Sequence, residues 1–303
     1  MARAALTLRT AFSDAPPLKP LLDGAVQPAG ASLDWEQVNI VAAFRSMCRS
    51  LNYDLCEMAV VTYFAARWYG IAMTAIPVFP LSNLVGRLSP GTFTVNTKSG
   101  AETPKDLEGR RVAVRSYTLT PGTWARSVLQ EHAGVDLEKV TWVVNDEEHV
   151  EQYHKDTPAN VDRRVGADLG KMLVDGEIEA AIMVRADSPD VKPAFADVQA
   201  RAADAFRRAG ITPVDHTVVV KTALLEEHPW LARAVYDAMK ESKAEWRRRT
   251  PDAPPADDLL NDPMPMGMSA TRKTLAKLMQ LSVEQHILPK ALDIDELFPG
   301  GLD

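Results

Sequence analysis

Short apolar runs of strand length alternate with helix-patterned segments along most of this chain. That alternation restricts it to α/β architectures with largely parallel sheets. Leu6–Phe12 and Ala31–Glu36 read as strands, and Pro16–Pro17 opens a helix running to about Ala25, since proline suits a first turn. Val41–Ser50 is helical, with Val41, Phe44, Met47 and Cys48 at three- and four-residue spacing. Leu55–Met58 is a short strand, Val60–Tyr69 a helix stopped by Gly70, and Ile71–Phe79 an apolar run suited to a strand covered on both faces. The middle third repeats the pattern: strands at Thr92–Asn96, Arg111–Arg115, Val140–Val144 and Ile178–Val184, helices at Pro121–His132 and Asp168–Val174. A last strand, Thr217–Val220, precedes helices at Thr222–Glu227, Pro229–Arg248 and Thr271–Ile287, with a Pro/Asp-rich loop from Thr250 to Pro265.

A length of 303 residues, 46% of them hydrophobic, supplies enough core for about two domains. The net charge of −7 argues against a nucleic-acid partner, which selects for a basic face. Cys48 and Cys56 read as two buried free thiols, and no Cys/His spacing suggests a metal site. Met1–Arg9 lacks the apolar core of a secretion signal, and no run reaches the ~20 apolar residues that cross a bilayer. The expectation is a cytoplasmic protein with no membrane partner; homo-oligomerisation is left open.

Five segments taken in order carry a resemblance. They are Tyr53–Ala59 (YDLCEMA), Ile76–Pro80 (IPVFP), Thr103–Val114 (TPKDLEGRRVAV), Leu173–Ile182 (LVDGEIEAAI) and Pro213–Thr217 (PVDHT). In this order and spacing the chain resembles the 4,5-dihydroxyphthalate decarboxylase family. The resemblance covers nearly the whole chain. It implies a two-lobed periplasmic-binding-protein-like fold of type 2, with a ligand cleft between the lobes. Residues 1–92 and 213–303 would form a discontinuous lobe I, and 93–212 lobe II. Two segments depart from the family pattern: Leu81–Arg87 replaces a basic, aromatic stretch, and Arg115–Ser116–Tyr117 replaces Pro-Glu-Tyr. The scaffold is therefore expected to be shared more fully than the substrate.

Glu57 follows a strand and precedes an apolar helix, and the Glu57–Met58 pair matches the family. His216 stands at the turn into an apolar strand, and imidazole titrates near neutral pH, which suits proton delivery. Asp215 could orient its ring. Between a strand and a helix, Ser116–Thr123 offers free N–H groups at a helix start, with hydroxyls from Thr120 and Thr123, as a carboxylate holder; Ser116 and Tyr117 belong to the same loop. Trp124, one turn inside that helix, could floor an aromatic ligand or serve the core. Arg185 and Arg115 end strands, Arg87 lies in a loop, and guanidinium pairs bidentately with carboxylate. Arg9 and Arg185 interrupt apolar patterns, which counts against plain surface solvation. Glu148 is a lesser candidate beside Glu147 and His149.

The resemblance implies a cofactor-independent decarboxylase of a hydroxylated aromatic carboxylic acid. His216 and Glu57 would move the proton, with their separate roles open; Arg185 and the Thr120–Thr123 helix start would hold carboxylate. No cofactor and no metal are expected. The alternative is a solute-binding protein that holds an organic anion for an ABC-type transporter. A third class, a pyrimidine-precursor synthase on the same fold, would call for a histidine- and cysteine-rich site that this sequence lacks.

Overall fold

The computed structural model describes residues 6–80, 91–255 and 261–303. Leu81–Arg87, and with it Arg87, lies outside them. The strands in chain order are β1 (Leu6–Ala11), β2 (Ala31–Trp35), β3 (Leu55–Ala59), β4 (Met73–Ile76), β5 (Phe93–Asn96), β6 (Arg111–Ala113), β7 (Thr141–Val144), β8 (Val161–Arg163), β9 (Ala180–Ile182), β10 (Val191–Pro193) and β11 (His216–Lys221). The longer helices are α1 (Ile40–Ser50), α2 (Val60–Trp68), α3 (Thr120–Ala133), α4 (Ala196–Ala209), α5 (Leu231–Arg249) and α6 (Met268–Glu284). Among the described residues no helix is long and apolar enough to cross a membrane.

The chain forms two compact units. Unit 1 comprises Met1–Asn83, Thr212–Ala276 and Leu292–Asp303; unit 2 comprises Leu84–Ile211 and Lys277–Ala291. The second half of α6 is thus grouped with unit 2, a return of the chain that the sequence pattern did not show.

In unit 1 the sheet order is β2-β1-β3-β11-β4. β1 runs parallel to β2 and β3, whereas β11 runs antiparallel to β3 and β4. β3 is therefore central, and all five of its residues are buried. Leu8, Phe12, Leu55, Val218 and Val220 pack with Leu231, Val235 and Met239 of α5 into one apolar cluster. Burying each such side chain is worth about 1.5–3 kcal/mol, which holds the sheet against the helix. α1 is capped by Asn39, whose side chain accepts from the N–H groups of Val41 and Ala42. Its Cys48 and the strand residue Cys56 are both buried free thiols; burial pushes Cys48 up to about 12 and Cys56 well above its usual value, so neither is a thiolate at neutral pH.

In unit 2 the order is β10-β5-β9-β6-β7-β8, with β9, β6, β7 and β8 parallel and the β5 side antiparallel. Ala113, Val143, Ile178 and Ala181 pack against Leu169 and Leu173. Two short strands, β8 and β10, and the helix α4 do not figure in the sequence reading. Three-residue strands leave no periodic signal. α4 does leave one: Val198, Ala202 and Phe206 recur every four residues and are the apolar side chains it buries.

Candidate functional site

Glu57 and His216 are brought together by strand register. In the antiparallel β3–β11 pair, Val218 lies opposite Glu57 and His216 opposite Ala59. Side chains two apart share a face, so Glu57 and His216 are diagonal neighbours, within reach of long side chains. His216 Nδ1 lies 2.5 Å from Glu57 Oε1. Glu57 is completely buried, while the His216 side chain keeps 12% of its surface exposed. The imidazole packs against Phe44 of α1 at 5.0 Å between ring centroids, nearly perpendicular. His216 Nε2 lies 3.8 Å from Asp215 Oδ2, so the ring stands between two carboxylates.

A third residue completes this cluster. Ser13, just past the carboxyl end of β1, donates to Glu57 Oε2 from its backbone N–H at 2.8 Å and from its hydroxyl at 2.7 Å. Burial alone would raise the Glu57 carboxyl. The hydrogen bond and charge of His216, together with the two Ser13 donors, outweigh it, and the net shift is downward. Glu57 is held as an anion, so Nδ1 is the donor and His216 is oriented by it. Ser13 was not singled out in the sequence, because a lone serine past a strand end carries no spacing signal that pairs it with Glu57.

The loop preceding α3 in unit 2 does bind a carboxylate, and that carboxylate is the chain's own. Glu148 is buried and accepts from Ser116 Oγ at 2.9 Å, Tyr117 N at 2.7 Å and Thr118 N at 3.3 Å, and from the Thr118 hydroxyl. Ser116 and Tyr117, expected as ligand donors, are therefore engaged internally. Thr123 is buried too: its hydroxyl donates to Leu119 O at 3.2 Å and lies 3.3 Å from Arg126 Nη2. Thr120 is fully buried. Of the two readings of Trp124, the structure takes the core one: it is buried in edge contact with Phe206 of α4.

Arg126 was not singled out from the sequence, yet its guanidinium is fully buried. It lies 4.1 Å over the Tyr117 ring, donates from Nε to Gln285 Oε1 at 2.7 Å and from Nη2 to Tyr117 O at 2.8 Å. Burial pulls its pKa down, opposed by Tyr117, Tyr153 and Glu148. Gln285 in turn donates to Thr123 O at 3.0 Å, so this network fixes the loop and the start of α3 from beneath.

The remaining arginines divide. Arg9 lies on the surface, contrary to the argument from its interrupted strand: β1 alternates, sending Leu8 and Thr10 inward and Arg9 outward. It pairs with Glu36 at 3.3 Å and stacks over Tyr53. Arg115 is half-buried and paired with Asp146 at 3.1 Å. Arg185 is exposed beyond the carboxyl end of β9, which stops at Ile182 rather than Val184, and no hydrogen bond or ion pair to a described residue engages its guanidinium. The interruption of its apolar pattern therefore marks the end of the strand, not burial. Glu147, beside Glu148, faces outward to His154 at 3.1 Å and Arg163 at 3.3 Å.

Among the described residues no group of three or more His, Cys, Asp or Glu stands close enough to hold a metal ion. A cavity of about 380 Å³ in unit 2 lies elsewhere, near the amino ends of β6 and β9, between Asn96, Lys98, Arg110, Gly176 and Glu179. None of the candidate residues lines it.

The chain matches the NMT1/THI5-like family over residues 72–253. It is 32% identical to a 4,5-dihydroxyphthalate decarboxylase of Comamonas testosteroni, over 79% of this chain and 75% of that protein. It is 31% identical to a protein of the same name from Pseudomonas putida, over 67% of this chain and 82% of the other. Among solved structures it is similar to the periplasmic aliphatic sulphonate binding protein SsuA of Escherichia coli, with a TM-score of 0.56 over 97% of each chain at 14% identity. The fold is accordingly the periplasmic-binding-protein-like α/β fold of type 2.

Proposed function

Since this chain belongs to the NMT1/THI5-like family and is grouped with the 4,5-dihydroxyphthalate decarboxylases, we propose that it is a decarboxylase of a hydroxylated, phthalate-like aromatic acid. The observation that carries the reading is the Glu57–His216 pair: a buried anion on one imidazole nitrogen, with the ring partly open to solvent.

Loss of CO2 from an aromatic ring needs a proton on the carbon that carries the carboxylate. A ring hydroxyl pushes electron density to that carbon, which takes a proton and leaves the ring dearomatised. The C–C bond then breaks, CO2 departs, and its bonding pair restores the aromatic ring. The carboxylate is replaced by hydrogen, with one proton consumed. His216 supplies that proton from Nε2, since Nδ1 is committed to Glu57. Glu57 does not touch substrate in this scheme; it stabilises the imidazolium and fixes its plane, the part a carboxylate plays behind a catalytic histidine. Arg185, exposed with no partner among the described residues, is assigned to hold a substrate carboxylate. The Ser116–Thr123 loop is left out of the site, because its Ser116 and Tyr117 donors serve Glu148 and its Thr123 hydroxyl accepts from Arg126.

The test is a panel of hydroxylated aromatic acids scored for CO2 release in D2O. Deuterium is expected on the carbon that lost its carboxylate, and His216→Ala should lower turnover about 10²-fold or more. Tight binding of these acids by the wild type without CO2 release from any of them would replace this reading with that of a solute-binding protein.

A further inference from the structure

We propose that Ser13 is a positioning residue for proton transfer, holding Glu57 in the rotamer that keeps a carboxylate oxygen on His216 Nδ1; the kinetic part of this rests on the decarboxylase reading. The geometry assigns each Glu57 oxygen a separate duty. Oε1 faces His216, and Oε2 takes both Ser13 donors. A planar carboxylate clamped on one oxygen by two donors cannot rotate about its terminal bond without breaking both, so the other oxygen stays aimed at the ring.

The local fold explains why the clamp is at Ser13. The β1–β3 register ends at Ala11 opposite Cys56, so the Ser13 N–H has no ladder partner. Glu57 follows Cys56 on the neighbouring strand and satisfies that N–H with its side chain. A hydroxyl on the same residue adds a second donor. Alanine would keep the first and lose the second. Threonine would keep both.

The other titratable groups around the pair are Asp215, near Nε2, and Cys56, whose buried thiol stays protonated. The Cys56 thiol donates to the Glu57 main-chain carbonyl at 3.0 Å, not to its carboxylate. Weakening the Ser13 clamp therefore destabilises the Glu57 anion and moves the acid limb of the pH–rate profile to higher pH.

Ser13→Ala and Ser13→Thr decide the matter. Losing one donor to an ionised carboxylate should lower kcat about tenfold, corresponding to ~1.4 kcal/mol. KM should stay within about twofold, since Ser13 does not hold substrate. The acid limb should move up in the alanine variant, and the threonine variant should recover both rate and limb. Carbon-13 titration of the Glu57 carboxyl reads the same shift without turnover, so it tests Ser13 even where the wild type releases no CO2 and the decarboxylase reading fails. An unchanged Glu57 titration in Ser13→Ala, or a threonine variant as impaired as the alanine one, would overturn the proposal.

Discussion

Replacing Glu148 with glutamine tests how much of unit 2 depends on the carboxylate buried in its own loop. One oxygen takes the Tyr117 N–H at 2.7 Å; the other takes the Ser116 hydroxyl at 2.9 Å, the Thr118 N–H at 3.3 Å and the Thr118 hydroxyl. Glutamine is isosteric and has one acceptor. Placing its oxygen at Tyr117, a backbone N–H that cannot turn to accept, turns its NH2 toward the other three donors. The two hydroxyls can rotate and accept, but the Thr118 N–H cannot. One hydrogen bond is lost and the rest lose charge assistance. At ~1.5–3 kcal/mol for a bond to a charged group and ~0.5–1.5 for a neutral one, the net loss is about 2–3 kcal/mol. With roughly 2–4 °C per kcal/mol for domains of 150–250 residues, the melting transition should fall by about 4–12 °C. Thermal unfolding followed by circular dichroism measures it, and hydrogen exchange should show faster exchange at the Tyr117 and Thr118 amides. A Glu148→Gln variant melting within about a degree of wild type would refute the reasoning, because the bonds would then be contributing nothing net.

Two further outcomes are expected. The Glu57 carboxyl is depressed below its ordinary 4.5 in the folded state, so its stabilising contribution is present above about pH 4.5 and is lost as pH falls through the folded value. Urea unfolding at successive pH values should show wild type losing stability over that window and Glu57→Gln showing a flatter dependence; parallel curves would mean the carboxylate is not linked to folding. Arg185→Ala should weaken binding of aromatic dicarboxylates by about 2–5 kcal/mol if the ligand desolvates the pair, with an unchanged melting temperature, and isothermal titration showing equal affinity would remove Arg185 from the site.

The candidate site was partly legible before folding. Glu57 and His216 stood out as ionisable residues at element ends that both match the decarboxylase-family pattern, in apolar surroundings where a charge is costly unless it has a partner. The same logic failed for Arg9, because strand alternation sends every second side chain to solvent whatever its neighbours suggest. It missed Arg126 because a single arginine in a helix gives no sign of whether its face is covered.

The α/β class and most element positions follow from local pattern, since hydrophobic period and turn residues act within a few positions of one another, whereas the antiparallel entry of β11 and of β5 into otherwise parallel sheets does not. What only the tertiary structure decided are the long-range partners. Glu57 and His216 are 159 residues apart and meet because β11 enters antiparallel beside β3 in one register; a slip of a single residue would turn His216 to the opposite face. Ser13 reaches Glu57 across 44 positions, and Glu148 reaches Thr118 across 30, each filling donors that sequence alone leaves open to a ligand. Local pattern says which groups need partners, and strand register with loop closure determines which partners they find.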